Sequence, residues 1–208
     1  MPSVPQASPA STPRLRAETP RLNINPARWG VPALAEAAMA IALAAVLGLL
    51  KVYTMPQGGS VSLEMLPLIF LAVRRGVGPA LAAGGLYGLV QLVLPGAFIY
   101  HPAQAALDYP LAYTAVAAAG LISVRGWRTL AVAVTVAAAG RFVFHFLSGL
   151  IFFASYAPQW EAPWLYSITY NLLYLVPEAV ITVVVLWPLL NAYDAAFPID
   201  GRASRAGS

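Results

Sequence analysis

The sequence predicts an all-α membrane protein with six transmembrane helices and both termini in the cytoplasm. Its composition is the first reason: 60% of the 208 residues are hydrophobic and only 10% are charged, whereas soluble domains carry roughly 25% charged residues. Apolar stretches also recur at close to the roughly 20 residues that a helix needs to cross a bilayer. Helices are the expected spanning element because lipid offers no partner for unpaired backbone groups.

The chain divides into two polar ends and a central apolar domain. Residues 1–30 are rich in Pro, Ser, Ala and Arg, which predicts a disordered, basic cytoplasmic tail. Residues 31–192 form the predicted six-helix domain, and residues 193–208 form a short cytoplasmic tail. The spans are expected at about 33–50, 61–73, 79–95, 106–124, 129–153 and 164–190. The second span is short, so it is expected either to tilt or to extend into residues 59–62.

The positions of the basic residues predict the orientation in the membrane. Short cytoplasmic loops are enriched in Arg and Lys. Ten arginines precede the first span or follow the second, fourth and sixth spans: Arg14, Arg16, Arg21, Arg28, Arg74, Arg75, Arg125, Arg128, Arg202 and Arg205. Lys51 is the single basic residue in the loops on the opposite side. The net charge of +4 therefore reflects membrane orientation and predicts no nucleic-acid partner.

Several classes of chemistry are disfavoured by what the sequence lacks. It contains no cysteine, which excludes disulfides, thiolate metal sites and a cysteine nucleophile. It has no phosphate-binding loop of the G-x-x-x-x-G-K-[ST] type, so ATP use would require a partner protein. His145 and Ser148 are the one catalytic-looking pair, but no nucleophile elbow accompanies them. We therefore predict no catalytic residue, no metal site and no cofactor.

We single out five polar residues inside the predicted spans, where charged groups are costly and usually functional. A rise of about 1.5 Å per residue puts Arg141 and Glu178 at the same depth, near mid-membrane, which predicts an ion pair. By the same count Asp108, His145 and Asn171 lie nearer the outer surface, at depths of about 24 to 28 Å from the cytoplasmic ends. These three residues either converge on one site or lie separately at the headgroup boundary.

Aromatic residues are concentrated on the same outer side, whereas an interfacial belt would occupy both surfaces. The asymmetry predicts an outward-facing ligand pocket. An aromatic pocket with one carboxylate suits a flat, cationic heteroaromatic ligand. The outer aromatic residues are Tyr87, Phe98, Tyr100, His101, Tyr109, Tyr113, Phe152, Phe153, Tyr156, Trp160, Trp164, Tyr166, Tyr170 and Tyr174.

Small residues repeat at every fourth position on two predicted helices. Ala80, Gly84 and Gly88 form one such series in the third span. The first span contains two alternative series, one with Ala38 and Ala42 and another at residues 40 and 44. Small residues allow helices to approach closely, either inside the bundle or at the surface of a partner. The sequence leaves both possibilities open.

Five ordered blocks of sequence resemble a known family. They are Met-Pro-Gln-Gly-Gly-Ser-Val-Ser-Leu (55–63), Leu-Ala-Val-Arg-Arg-Gly (71–76), His-Pro-Ala-Gln-Ala-Ala-Leu-Asp-Tyr-Pro-Leu-Ala-Tyr (101–113), Arg-Phe-Val-Phe-His-Phe-Leu-Ser-Gly (141–149) and Tyr-Ser-Ile-Thr-Tyr-Asn (166–171). In these blocks the chain resembles the thiamine-specific substrate-binding subunits (ThiT family) of energy-coupling factor (ECF) transporters. The resemblance covers residues 33–190 and implies six helices, cytoplasmic termini and an outward thiamine pocket.

The resemblance implies a role for individual residues. Asp108 corresponds to the acid that holds the aminopyrimidine of thiamine, and Tyr109 follows it in the pocket. His145 and Gly149 correspond to the turn beside the thiazolium, while Tyr166 and Asn171 correspond to polar contacts at the pyrimidine end. Tyr87 and Phe153 occupy ring positions that can be Trp in the family, and a third such position is replaced near Gly58. Tyr100 completes the set of candidate ligand-binding residues.

The resemblance also implies partners: an ECF transmembrane scaffold subunit and two ATPase subunits in the cell membrane. Scaffold docking would use an Ala-x-x-x-Ala pattern on the first helix. The residues leave three other hypotheses open. The chain could bind a thiamine precursor such as hydroxymethylpyrimidine, act as a small intramembrane enzyme through His145 or Asp108, or work as a stand-alone secondary carrier.

Overall fold

The computed structural model describes Asn25 and residues 29–196, so nearly all of the predicted N-terminal tail and residues 197–208 lie outside the described part. The described chain is mostly helical. Its α-helices are α1 (Val31–Leu49), α2 (Met65–Arg75), α3 (Val77–Gln91), α4 (Pro102–Ala106), α5 (Ala112–Ala115), α6 (Trp127–Phe152) and α7 (Pro163–Ala196). A π-helical turn (Leu107–Leu111) joins α4 to α5, and a 3₁₀ turn (Val116–Leu121) follows α5. We call residues 102–121 the composite helix.

The expected second span differs most from the structure. Residues 60–61 do not extend the helix; they form strand β2 (Ser60–Val61), which pairs antiparallel with β1 (Tyr53–Thr54). A short 3₁₀ turn (Pro56–Gly58) connects the two strands. The helix begins only at Met65 and ends at Arg75, because Gly76 adopts a φ of 82° that ends the helical path. The loop between α1 and α2 is thus a small hairpin.

Three of the described helices are long and apolar enough to cross a membrane: α1, α6 and α7, with mean hydropathies of 2.0, 1.8 and 2.0. Their outer faces expose large apolar side chains, for example Val176, Val180 and Val184 on α7. A water-soluble protein rarely exposes such a continuous apolar surface. The chain is therefore a membrane protein.

The small-residue series of α3 lies inside the bundle. Ala80, Gly84 and Gly88 are buried, and α3 packs directly on the backbone of the composite helix. A Cβ atom at residue 84 would come within 2.2 Å of the Tyr113 carbonyl oxygen, and one at residue 88 within 2.4 Å of the Pro110 Cα. Glycine is therefore required on this face, and the close approach fixes the position of residues 109–113.

The two series on α1 point in opposite directions. Ala40 and Ala44 are buried, as is Gly48 one turn further on. Ala38 and Ala42 are exposed on the outer surface of the helix. The structure thus separates a packing series inside the bundle from a smooth external strip, which the sequence could not do.

One end of the bundle is held by two ion pairs, and we call it the basic end. The Arg75 guanidinium binds the Glu36 carboxylate with a shortest distance of 2.5 Å, joining α2 to α1. The Arg74 guanidinium lies 2.9 Å from the Asp194 carboxylate and 3.9 Å from the centre of the Tyr193 ring. Helix α7 therefore continues past the boundary that the sequence suggested at residue 192, because its last turn packs on α2.

Candidate ligand-binding site

A cavity of about 820 Å³, including its open mouth, lies at the end of the bundle opposite the basic end. Seven of the nine candidate residues line the cavity: Asp108, Tyr109, His145, Gly149, Phe153, Tyr166 and Asn171. They come from the composite helix, α6, the turn after α6, and α7, so only the fold brings them together.

The other two candidates do not line the cavity. Tyr87 is fully buried, and its hydroxyl donates to Glu64 with an O···O distance of 2.9 Å and lies 3.2 Å from the Ala44 carbonyl oxygen. Its ring packs edge-on against Tyr113, which does line the cavity. Tyr100 is 65% exposed and contacts Phe153 from outside, with 6.3 Å between ring centres. Tyr87 thus supports the cavity wall from behind, and Tyr100 lies at its edge.

Asp108 lies on the π-helical turn of the composite helix. Pro110 has no N–H to donate, which disrupts the regular helical bonding at this point, and such π turns frequently occur at functional sites. The Asp108 Oδ2 atom accepts hydrogen bonds from the Gln104 amide at 2.7 Å and from the Ser148 hydroxyl at 2.8 Å. Ser148 therefore serves the carboxylate and does not pair with His145.

The hydrogen bonds of His145 define its tautomer. The Arg141 Nε–H donates to His145 Nε2 at 3.1 Å, and an arginine cannot accept a bond in return. Nε2 is therefore the acceptor nitrogen, and Nδ1–H donates to Asp108 Oδ1 at 3.0 Å. The two depth layers expected from the sequence are thus one network, connected through a neutral imidazole.

Arg141 forms the predicted ion pair with Glu178, at 3.0 Å, which confirms that expectation. A second carboxylate, Glu64, binds the same guanidinium at 3.0 Å and was missed by the sequence reasoning. Both glutamates and the arginine are buried. Glu64 also accepts hydrogen bonds from the hydroxyls of Tyr87 and Tyr113. Its charge is satisfied from three helices, so a buried acid is tolerated there.

The opposite wall of the cavity is formed by α7 and the hairpin loop. Tyr170 accepts a hydrogen bond from the Gly59 amide at 3.1 Å and donates to the Pro56 carbonyl, which ties α7 to the loop. Asn171 donates to the Ser167 carbonyl and accepts from Tyr174, at 2.8 and 2.7 Å. These contacts hold the carboxamide of Asn171 at the cavity surface.

Two glycines shape the cavity in different ways. A Cβ atom at Gly149 would approach the Ser167 hydroxyl to 2.2 Å, so this glycine allows α6 to pack closely on α7. Gly58 has a φ of 97°, a left-handed conformation in which a side chain is strained. The loop around Gly58 therefore contributes backbone to the cavity, at the position where the family that the chain resembles can have a Trp and this chain does not. No described lining residue is a tryptophan.

The cavity offers the negative charge of Asp108 to a ligand, while Lys51 adds a positive charge elsewhere in the lining. Asp108 and Glu64 line it, and the positive charge of Arg141 is shared between Glu64 and Glu178. Arg141 therefore does not neutralise Asp108. The aromatic lining residues are Phe98, Tyr109, Tyr113, Phe153, Tyr166, Tyr170 and Tyr174. Ring faces beside an ionised carboxylate favour a flat cation.

Gln104 was also missed by the sequence reasoning, and Ser148 was considered only as a catalytic partner of His145. Gln104 is 1% exposed, and its amide bridges Asp108 to the segment before α4. Its position four residues before Asp108 puts both side chains on one helical face, and this spacing was the available signal. Glu64 could have been found because it is a carboxylate within the expected second span (61–73), where an unpaired charge is costly.

Comparisons with known proteins identify relatives of this chain. A profile of the family described as thiamine transporter protein (Thia_YuaJ) matches residues 34–198. The chain is 36% identical over 167 residues to thiamine transporter ThiT of Bacillus subtilis (strain 168), covering 74% of this chain and 87% of that protein. It is 30% identical over 155 residues to thiamine transporter ThiT of Lacticaseibacillus paracasei, covering 67% of this chain and 77% of that protein.

A solved structure has the same fold. The structure of ThiT from Listeria monocytogenes superposes with a TM-score of 0.73 at 26% sequence identity, covering 79% of this chain and 96% of that one. The named relatives are transporters and not enzymes, which removes the enzymatic hypothesis and confirms the resemblance seen in the five blocks. The chain belongs to the thiamine transporter protein (Thia_YuaJ) family.

Proposed function

We propose that this chain is the membrane-embedded thiamine-binding subunit of an ECF-type vitamin importer, energised by separate scaffold and ATPase subunits. Thiamine joins an aminopyrimidine to a positively charged thiazolium ring. Both parts are flat and aromatic, and the ligand carries amine hydrogens and a fixed positive charge. These features match an aromatic cavity with an ionised carboxylate.

The hydrogen bonding of Asp108 is the observation that carries the proposal. An ionised carboxylate has about four acceptor positions on its two oxygens. Gln104 and Ser148 donate to Oδ2, and His145 donates to Oδ1. One position on Oδ1 remains for a donor from the ligand, and the three fixed donors hold the carboxylate as a whole in place. A preorganised carboxylate of this kind suits an exocyclic amine.

The remaining candidates complete the proposed site. Tyr109, Phe153 and Tyr166 offer ring faces for stacking, and Asn171 retains acceptor capacity on its carboxamide oxygen. Gly149 lets α6 pack closely on α7, because a Cβ atom there would meet Ser167, and this packing forms the wall beside the proposed thiazolium position. Tyr87 and Tyr100 act indirectly, by supporting Tyr113 and Phe153.

The proposed topology is six membrane spans, with both termini in the cytoplasm of a prokaryotic cell. Six helical segments run between the basic end and the cavity end: α1, α2, α3, the composite helix, α6 and α7. Arg74 and Arg75 lie at the basic end, and Arg125 and Arg128 precede or begin α6 at the same end. Because cytoplasmic loops are enriched in basic residues, the cavity opens outward.

The binding proposal is tested by titration calorimetry on the protein purified in detergent. Thiamine is expected to bind more tightly than hydroxymethylpyrimidine, which lacks the thiazolium. Asp108→Asn is expected to weaken thiamine binding about tenfold or more, since hydrogen bonds to charged groups contribute about 1.5–3 kcal/mol. Glu161→Gln is the matched control, because Glu161 is an acid outside the cavity at the same end.

Two outcomes would contradict different parts of the proposal. If the wild-type protein does not bind thiamine, the function is wrong. If folded Asp108→Asn binds thiamine with wild-type affinity, the function stands but the assignment of Asp108 is wrong. Tighter binding of hydroxymethylpyrimidine than of thiamine would identify a subunit for the precursor.

A further inference from the structure

We infer that Lys51 forms a phosphate-binding subsite in the lining of the cavity, which makes it the residue that sets the preference of the protein between thiamine monophosphate and thiamine. This inference rests on the proposed function. Lys51 is the single lysine of the chain and follows the last turn of α1. It lines the same cavity as Asp108 and is only partly buried there.

The first argument is that the ammonium of Lys51 has no carboxylate partner. Among the described residues no ion pair to Lys51 occurs within 4.0 Å. Arg141, the other permanent cation that lines the cavity, is bound to two carboxylates. Lys51 is therefore the cation with free capacity to bind an anion from a ligand.

The second argument is that the backbone leaves space for this ammonium at the cavity rim. Gly96 has a φ of 92°, and a Cβ atom there would lie 2.8 Å from Lys51 Nζ. The Lys51 ammonium thus packs on the backbone of Gly96. The same loop contains Phe98, another residue that lines the cavity. A side chain at residue 96 would displace it.

The third argument is the unusual position of the charge. The other basic residues in the described interhelical loops lie towards the basic end, whereas Lys51 lies at the cavity end. A cation beside a site for a cationic ligand costs binding energy through like-charge repulsion. An anionic group on the ligand reverses the sign of this interaction. In thiamine bound with its aminopyrimidine at Asp108, the hydroxyethyl arm that carries phosphate belongs to the opposite, thiazolium end.

A phosphate at Lys51 has two possible sources, the ligand or a lipid headgroup. The position of Lys51 in the cavity lining favours the ligand. The experiment separates the sources by measuring binding in lipid-free detergent and in nanodiscs with anionic lipids. Thiamine and thiamine monophosphate are titrated into wild-type protein, Lys51→Met and Lys51→Arg, and inorganic phosphate alone is a further titrant.

The measured quantity is the ratio of the affinity for thiamine monophosphate to the affinity for thiamine. Lys51→Met is expected to lower this ratio about tenfold in detergent, because it removes one charge-assisted hydrogen bond. Lys51→Arg is expected to retain most of the ratio. Thiamine itself is expected to bind Lys51→Met at least as tightly as wild type, since a repulsive charge is lost. Arg125→Met controls for total charge, because Arg125 does not line the cavity.

The inference is overturned if the ratio is the same in wild type, Lys51→Met and Lys51→Arg. It is also overturned if the ratio changes only in nanodiscs, which would assign Lys51 to lipid, or if Arg125→Met lowers the ratio equally. The inference is supported if Lys51→Met lowers the affinity ratio in detergent and Lys51→Arg retains it. Inorganic phosphate alone is expected not to bind. If neither ligand binds wild-type protein, the proposed function itself fails.

Discussion

At the residue scale, the neutral tautomer of His145 links two groups of charge. Arg141 donates to Nε2, and Nδ1–H donates to Asp108. We call Arg141, Glu64 and Glu178 the Arg141 cluster. The imidazole of His145 connects this cluster to the Asp108 carboxylate and fixes the position of that carboxylate. Removal of Arg141 would leave His145 free to adopt the other tautomer, in which Nδ1 no longer donates to Asp108.

Gln104 provides the clearest test of positioning at this scale. Its amide donates to Asp108 and to the Phe98 carbonyl, and its carbonyl accepts from the Tyr100 amide. Gln104→Leu keeps the approximate volume but removes these three bonds and the longer one that the carbonyl accepts from the His101 amide at 3.4 Å. We expect a loss of thiamine affinity of about tenfold, because the Asp108 carboxylate loses a hydrogen-bond donor and the segment before α4 (residues 98–101) loses its contact with Gln104.

Calorimetry compares Gln104→Leu with Ser148→Ala, which removes a single donor to Asp108. Ser148→Ala is expected to reduce thiamine affinity less than Gln104→Leu does. Equal losses of affinity in the two variants would mean that Gln104 acts only through Asp108 and not through its contacts with the segment before α4. Wild-type affinity in a folded Gln104→Leu protein would exclude a positioning role.

At the element scale, α1 presents different faces to the bundle and to its surroundings. Ala40 and Ala44 pack inside, while Ala38 and Ala42 lie on the exposed face. If a scaffold subunit docks on a small-residue strip, the exposed pair is the available one. The structure therefore selects one of the two registers for the proposed docking contact.

Replacing Ala38 and Ala42 with Trp is expected to leave thiamine binding intact but to abolish ATP-dependent uptake in vesicles that contain the scaffold and ATPases. Bulky side chains would prevent close helix approach without reaching the cavity. Val180→Trp with Val184→Trp is the matched control on the exposed face of α7. Full uptake by the α1 variant, or uptake by this chain without partners, contradicts the modular mechanism.

At the scale of the whole molecule, the Arg141 cluster joins α2, α6 and α7 through Glu64 and Glu178. Removing Arg141 leaves two buried carboxylates uncompensated, so Arg141→Met is expected to destabilise the protein strongly. Glu178→Gln should cost less, and the double variant less than the sum of the two. Thermal melts in detergent without ligand are expected to show a coupling of about 0.5–3 kcal/mol.

The Glu36–Arg75 pair is the control cycle, because both side chains are partly exposed at the basic end. Its expected coupling is below about 1 kcal/mol, as for surface ion pairs. Additive losses for Arg141 and Glu178 would contradict the idea that this buried contact holds the helices together. A coupling as large for Glu36 and Arg75 would show that burial is not the cause.

The sequence by itself determined the membrane character and the family, and seven of the nine residues that it proposed for the site line one cavity. Composition and apolar run length are local properties, so they indicated helices near the correct positions. The ordered blocks around Asp108, His145 and Asn171 carried the resemblance. Arg141 and Glu178 could be paired because depth in a straight helix follows from counting residues.

The tertiary structure alone decided which side chains meet across helices and which faces are buried. Glu64 joined Arg141 because the second helix begins later than its apolar pattern suggested, after a hairpin that the sequence did not predict. Tyr87 faced the core and not the cavity because Gly84 and Gly88 bring α3 against the composite helix. Helix rotation and close backbone approach depend on the packing of all neighbours at once, and a linear pattern does not contain that information.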